Sequence, residues 1–416
     1  MGVGGRGVGR RGLLAGAVAG VTGLAVAPAR AADTVGVRQY ASGRHTVLAR
    51  PLANEDGSNP LVQIRDVNRP GQVLGMLDAG EGATPRWPSA IWAEGRVTVL
   101  PPPVEDAADC GATRLNDGGQ AAGYYTVGGR EHATLWTGGV PRVLDIGTAH
   151  SRAFALNNAG QVGVRGYDQP SGDTATWNTV CLVDGTTVTT VEALSGKGLS
   201  VVDVNDRGEV LVGTFVPQGG PGGAFLWRDG AVVADFSNVD GDPGFLGFQG
   251  VAGLNVCGDV VGNYYSPLGA PNPRVFRWSN GTLTTVTGPD GSGIWVADGL
   301  VRQALNDCGD FVGFVNGPAG NRPFLWSSGT FTDLGSLGGL VAYPVDVNNA
   351  RQVVGASQHT DGSSGAFLWR AGELIDLTPP PGFDGISVDA VTEQGDVLGS
   401  AWRTGSARVY FRFTVL

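Results

Sequence analysis

Asp203-Val-Asn205-Asp-Arg-Gly208-Glu-Val-Leu-Val-Gly213 and Asp346-Val-Asn348-Asn-Ala-Arg351-Gln-Val-Val-Gly355 are two copies of one phrase. The same pattern centres on Asn68, Asn116, Asn157, Asn255 and Asn306, and a worn eighth copy puts Thr392 in the Asn slot. Successive slots are 48, 41, 48, 50, 51, 42 and 44 residues apart, the spacing of a four-stranded blade. Asn followed three residues later by Gly reads as a tight turn: Asn bonds the local backbone, and Gly accepts a positive φ where the second strand starts.

Each unit carries a second phrase, Phe-Leu-Trp-x-x-Gly, clearest at Phe225-Leu226-Trp227, Phe324-Leu325-Trp326 and Phe367-Leu368-Trp369. Looser copies end at Trp92, Trp136 and Trp278, and Leu182 takes the Trp slot in the third unit. Asp-Gly and Asn-Gly corners there favour tight hairpins, and a fourth strand follows, as at Ile375-Asp376-Leu377. These paired phrases resemble the HAF repeat family of probable extracellular repeat proteins, named for a His-Ala-Phe phrase before the Trp. Here that phrase is worn to Glu131-His132-Ala133, Gly223-Ala224-Phe225 and Gly365-Ala366-Phe367. The resemblance runs from about residue 60 to 402; it implies an extracellular, propeller-like repeat protein and carries over no catalytic residue.

Strand counting leads to the same architecture. Seven full periods of four strands lie between Asn68 and the eighth copy, and four segments at the two ends are left over: His45 to Arg50, Val62 to Val67, Gly395 to Trp402 and Arg408 to Leu416. The chain is therefore expected to be all-β: a propeller of eight four-stranded blades, the last shared by two strands from each terminus. A seven-bladed ring with one degenerate unit is the alternative. Repeats that share one core count as one domain, so 33–416 is read as a single propeller. Gly is 70 of 416 residues and only 16 % are charged, which suits short strands joined by Gly-rich turns.

Residues 1–32 read as an export signal. Arg10-Arg11 precede an apolar run from Leu13 to Ala27, too short to span a bilayer, and Ala29-Arg30-Ala31 offers a cleavage site. The paired arginines resemble a twin-arginine signal, although Leu13 stands where that motif often has Phe and the usual basic residue after it is absent; an ordinary secretory signal is the alternative. Residues 33–416 are expected to be a soluble, extracytoplasmic monomer with no membrane insertion. The formal net charge of −10 becomes about −14 on cleavage, which opposes nucleic-acid binding.

In an up-and-down meander alternate connections share a face. The two tight turns of each unit lie together, and the variable connections gather on the opposite face, where binding groups usually sit. The longest, Trp227 to Asn255 and Trp278 to Asn306, are adjacent and span 28 residues each. They hold Asp240, Asp242, Phe245, Phe248, Asp290 and Trp295, and Tyr264-Tyr265 follow the second strand toward the same face, as Tyr124-Tyr125 do. Aromatic faces beside carboxylates suit stacking on a sugar ring or holding a cation. The alternative is that one aromatic of each pair fills the space between blades and the acids are solvated turn residues.

Asn238-Val-Asp240-Gly-Asp242 has oxygen donors at alternate positions but no bidentate Glu at hand-loop spacing, so no metal is expected. None of the four His sits in a metalloprotease arrangement, and no nucleophile elbow, phosphate loop or Cys-x-x-Cys occurs. No cofactor and no catalytic residue are assigned. The functional expectation is a binding propeller for a glycan, peptide or small molecule. The alternative is a carbohydrate hydrolase or lyase using loop carboxylates. Cys257 and Cys308 share a slot in consecutive units, and a disulfide between them is expected, with two free buried thiols as the alternative.

Overall fold

The computed structural model describes residues 35–416 except 81–82, 84–86, 169–178, 192–197, 216–221, 238, 240–246, 266–272, 298–303 and 318–319. Of 215, 247–249 and 290 it describes the backbone alone. Eight antiparallel sheets form the blades of a β-propeller. Blade 1 comprises Leu61–Val67, Val73–Leu77, Ser89–Ala93 and Arg96–Val99 from axis to rim. The innermost strands of blades 2, 3, 4, 5 and 7 are Asp109–Leu115, His150–Leu156, Gly198–Val204, Gly247–Leu254 and Gly338–Val347. In blade 6 the described inner strand is Ile294–Val296, continued by a bridge between Leu305 and Phe311.

Burial explains why the second strand reads Val-Val-Gly rather than alternating. Both its faces pack on neighbouring blades, so Val353, Val354 and Gly355 are all buried, as are Val260, Val261 and Gly262. Outer strands, with water beside them, are exposed, as in Val140–Val143. The glycine of the phrase has a second cause. Gly262, Gly313 and Gly355 pair with Phe276, Phe324 and Phe367 on the third strand. A Cβ at any of the three would stand 2.5 to 2.8 Å from that phenyl ring and 2.0 to 2.5 Å from an inner-strand carbonyl. Gly and Phe of the two phrases are therefore one packing unit.

The eighth blade closes the ring, but with a different division from the expected two-plus-two. Its inner three strands, Gly385–Val391, Val397–Trp402 and Val409–Val415, come from the C-terminal end. His45–Pro51 supplies the fourth, pairing Val47 with Val415 through to Pro51 with Phe411. Arg38–Ser42 adds a fifth strand at the rim, which gives thirty-three among the described residues. The segment counted toward this blade at Val62 to Val67 is instead the inner strand of blade 1. The N-terminal hairpin also reaches blade 7: Tyr40 Oη donates to the Thr378 carbonyl (3.0 Å) and Ser42 Oγ to that of Asp376 (2.6 Å). No described helix is long and apolar enough to cross a membrane.

Candidate functional site

The signature Asn does more than shape its own turn. In blade 1, Asn68 Oδ1 accepts the Gln72 N–H (2.8 Å), while Nδ2 donates to Gln72 Oε1 (2.7 Å) and to the carbonyl of Asn116 in blade 2 (2.9 Å). The last bond recurs from blade to blade through Asn116, Asn157, Asn205, Asn255, Asn306 and Asn348, at 2.8 to 3.1 Å. It stops at Thr392, which has no amide to donate; there Gln394 Nε2 bridges to the Arg69 carbonyl instead (2.7 Å). The residue four after each Asn accepts the other amide hydrogen, and its charge is locally balanced. Gln72, Gln120, Gln161 and Gln352 are neutral. Each acid in that slot meets an arginine: Glu209 with Arg207 and Arg228, Asp259 with Arg277, Asp310 with Arg351, Asp396 with Arg412.

These turns surround one mouth of the axial channel, a cavity of about 360 Å³. Its carboxylates include Asp66, Asp117, Asp206, Asp307 and Glu393, and the same groups join neighbouring blades. Asp66 accepts the Leu115 N–H (2.8 Å), Asp117 that of Arg69 (2.9 Å), Asp206 that of Asn158 (2.8 Å) and Glu393 that of Asn349 (3.1 Å). Arg69 reaches across the mouth from blade 1 to Asp307 in blade 6 (2.7 Å), where Asn349 also donates (2.8 Å). This mouth is the clasp of the ring.

The opposite mouth is rimmed with aromatics, near the loop ends of the strands. Tyr265 and Trp295 meet edge to face across blades 5 and 6, ring centres 5.8 Å apart, and Phe314 and Tyr343 do the same across blades 6 and 7 at 5.0 Å. Trp87 and Tyr343 are 37 % and 38 % exposed; Tyr265, Trp295 and Trp402 are half-buried. On blades 2 and 3 the rim is more polar: Arg152 lies over Tyr124 at 3.9 Å and pairs with Glu131, and His150 stacks on Tyr167 at 4.4 Å.

Of the residues selected from sequence, Tyr265 and Trp295 are brought together on this face. Tyr264 is 1 % exposed and packs between blades, so it is core and not platform. Tyr125, at 6 %, is likewise the inward member of its pair. Asp240, Asp242 and Phe245 lie outside the described residues, as do the side chains of Phe248 and Asp290. Cys257 and Cys308 stand as separate exposed thiols, with Cys257 Sγ 3.8 Å from the Asp307 carbonyl oxygen. Neither thiol is buried, because the slot lies at the exposed tip of the turn. Cys110 and Cys181 are also free, and both are buried.

Two arrangements were not visible in the sequence. Ser363, His359 and Asp376 form a string, with Ser363 Oγ 3.2 Å from His359 Nδ1 and Nε2 3.0 Å from Asp376 Oδ2. It is not a nucleophile relay. Ser363 donates its hydroxyl proton to Asp361 (2.6 Å), and the hydrogen bond to Asp376 raises the His359 pKa, favouring an imidazolium that donates on both sides. The string clips the loop-end hairpin of blade 7.

The second is Asp389, the residue skipped by the β-bulge of the eighth inner strand. Its Oδ2 is buried with no hydrogen-bond partner, and burial pushes its pKa up to about 6, opposed by Arg408. A carboxyl raised in the fold is penalised once it ionises. The penalty is absent below the unfolded value near 3.8, grows as pH rises, and is complete above about 6. Asp389→Asn is therefore expected to stabilise the protein by roughly 1–2 kcal/mol at pH 8 and by almost nothing at pH 4. Denaturant titrations at the two pH values check this, and an equal effect at both would exclude ionisation as the cause.

Comparison with known proteins supports the fold alone. No family model matches the chain, and no curated protein matches it. Among solved structures it is similar to Porphyromonas gingivalis dipeptidyl peptidase 4, at 12 % identity and TM-score 0.53, covering 88 % of this chain and 64 % of that one. It is also similar to a prolyl endopeptidase, at 12 % identity and TM-score 0.50, covering 82 % and 54 %. This chain thus spans less than two thirds of either. A third likeness is to the β-propeller domain of the Trilobed protease from Pyrococcus furiosus, at 12 % identity and TM-score 0.45, covering 78 % and 97 %.

Proposed function

We propose that this chain is an exported, non-enzymatic β-propeller that binds a glycan, peptide or small molecule on its variable-loop face. The observation that carries the reading is the aromatic rim: Trp87, Tyr265 with Trp295, Phe314 with Tyr343, and Trp402, contributed from five blades and partly open to solvent. Flat apolar faces in that arrangement stack on sugar rings or peptide side chains. The other mouth is less suited to a ligand, because its carboxylates are already bonded from blade to blade. Export is supported by the signal-like residues 1–32 and by the resemblance to HAF repeats. The hydrolase alternative depends on Asp240, Asp242 and Asp290. The raised carboxyl of Asp389 adds little to it, since the cause is burial and not a second carboxylate.

A glycan and peptide array probed with the secreted chain tests the reading. Replacing Tyr265, Trp295 and Tyr343 together by Ala is expected to weaken the best signal roughly tenfold or more. The melting temperature should fall by only a few degrees, since none of the three is fully buried. Unchanged binding by a folded triple variant would move the site elsewhere.

A further inference from the structure

We propose that Cys257 and Cys308 form a reversible redox clasp between blades 5 and 6, open as thiols in this structure and closed by an external disulfide. Of the eight copies of the turn, only these two have Cys in the slot two after Asn, and they are consecutive. Their turns are built alike. Each Cys N–H donates to its Asn Oδ1 at 3.0 Å, and each following Gly N–H returns to the Asn carbonyl at 3.0 and 3.1 Å. Asn255 Nδ2 then holds one turn against the next through the Asn306 carbonyl, at 3.0 Å. Cys257 Sγ is 3.8 Å from the Asp307 carbonyl oxygen, which belongs to the peptide leading into Cys308. Standard peptide geometry then puts the Cys308 Cα within about 7 Å of that sulfur, and the bond forms when the two turns bring their Cα atoms within about 7 Å of each other.

Both thiols are exposed, so an oxidant can reach them, whereas Cys110 and Cys181 are buried. Partial desolvation, with Asp310 and Asp307, raises the Cys308 pKa, which suits Cys308 to the second, resolving step. The Cys257 thiolate attacks a low-molecular-weight disulfide such as oxidised glutathione, forming a mixed disulfide and releasing one thiol. Cys308, after giving its proton to water, attacks the Cys257 sulfur and releases the second. The chain loses two hydrogens and the reagent is reduced to two thiols. The clasp spans the two blades that Tyr265 and Trp295 join on the opposite face. Closing it limits how far those blades part.

The full chain is equilibrated in glutathione buffers of graded potential, alkylated without unfolding, and mapped by mass spectrometry. Cys257 and Cys308 are expected to lose labelling together at one potential, yield a single cross-linked peptide, and recover on reduction, with Cys110 and Cys181 unlabelled throughout. In Cys308→Ser, Cys257 should instead retain a glutathione adduct. Independent glutathione adducts on both thiols of the unsubstituted chain, or loss of labelling at two different potentials, would overturn the clasp. So would failure of Cys257 to react in the Cys308→Ser variant. None of these results depends on a ligand for the aromatic rim.

Discussion

A chain lacking residues 35–51 is expected to lose its sharp melting transition. Strand His45–Pro51 pairs along Val409–Val415 and completes the core of the eighth blade. Val47, Ala49, Phe411 and Phe413 are all fully buried there, in one cluster with Ile375, Leu377 and Phe383. Removing the strand deletes two of those residues, uncovers the two phenyl rings and leaves a ladder edge open. At about 25 cal/mol per Å² of apolar surface, with the lost ladder, the cost is on the order of 5 kcal/mol or more, comparable to the whole stability of a domain. Truncation after Ala407 removes the partner strand and both rings, and is expected to be worse. Deleting only 35–43 removes the rim strand Arg38–Ser42 and should lower the melting temperature by a few degrees. Calorimetry separates the three variants. One cooperative transition at an unchanged temperature after removal of 35–51 would mean that the ring does not depend on this closure.

The blade count was legible because repetition is a property of the sequence itself: the Asn slots recur at 41 to 51 residues. The division of the last blade was not. Leftover strands at the two ends can be shared in several ways, and only pairing shows that Val409–Val415 takes His45–Pro51 as its neighbour. The tight turn was readable from Asn and Gly, yet the cross-blade bond of the same Asn was hidden, since its partner is the carbonyl of a residue 48 positions away in the case of Asn68. In retrospect one signal was present. The slot four after Asn is always Gln, Glu or Asp, and the acids occur where Arg207, Arg277, Arg351 or Arg412 is in reach. For the aromatic pairs, alternation says that one member faces inward but not which one. Tyr125 and Tyr264 are the buried members, and the ligand-facing candidates are left to Tyr265 and its neighbours.

Replacing Asn348 by Asp changes one amide nitrogen to oxygen, and the expected loss is about 3–5 kcal/mol at pH 7. Asn348 is fully buried, and its Oδ1 accepts the N–H groups of Ala350 (3.1 Å) and Gln352 (2.9 Å). Those bonds survive in Asp. The two donated ones do not: Nδ2 gives hydrogens to Gln352 Oε1 (2.7 Å) and the Thr392 carbonyl (2.9 Å), and a carboxylate would face both oxygens with its own. Burial and these acceptors would raise the new carboxyl's pKa in the fold. The variant's deficit should therefore shrink as pH falls, when protonation restores one donor, and widen as pH rises through the raised value. The converse substitution acts on the missing link. The Asn68 carbonyl accepts the Gly71 N–H (3.0 Å) but no ladder amide, because Thr392 cannot supply one. Thr392→Asn places an amide in the slot that the other seven blades use, beside Asp396, and is expected to stabilise by about 1 kcal/mol. Denaturant midpoints at pH 5 and pH 8 measure both effects. If Asn348→Asp unfolds at the unsubstituted midpoint at pH 8, the Asn ladder does not hold the blades together, and turn geometry alone would explain the repeat.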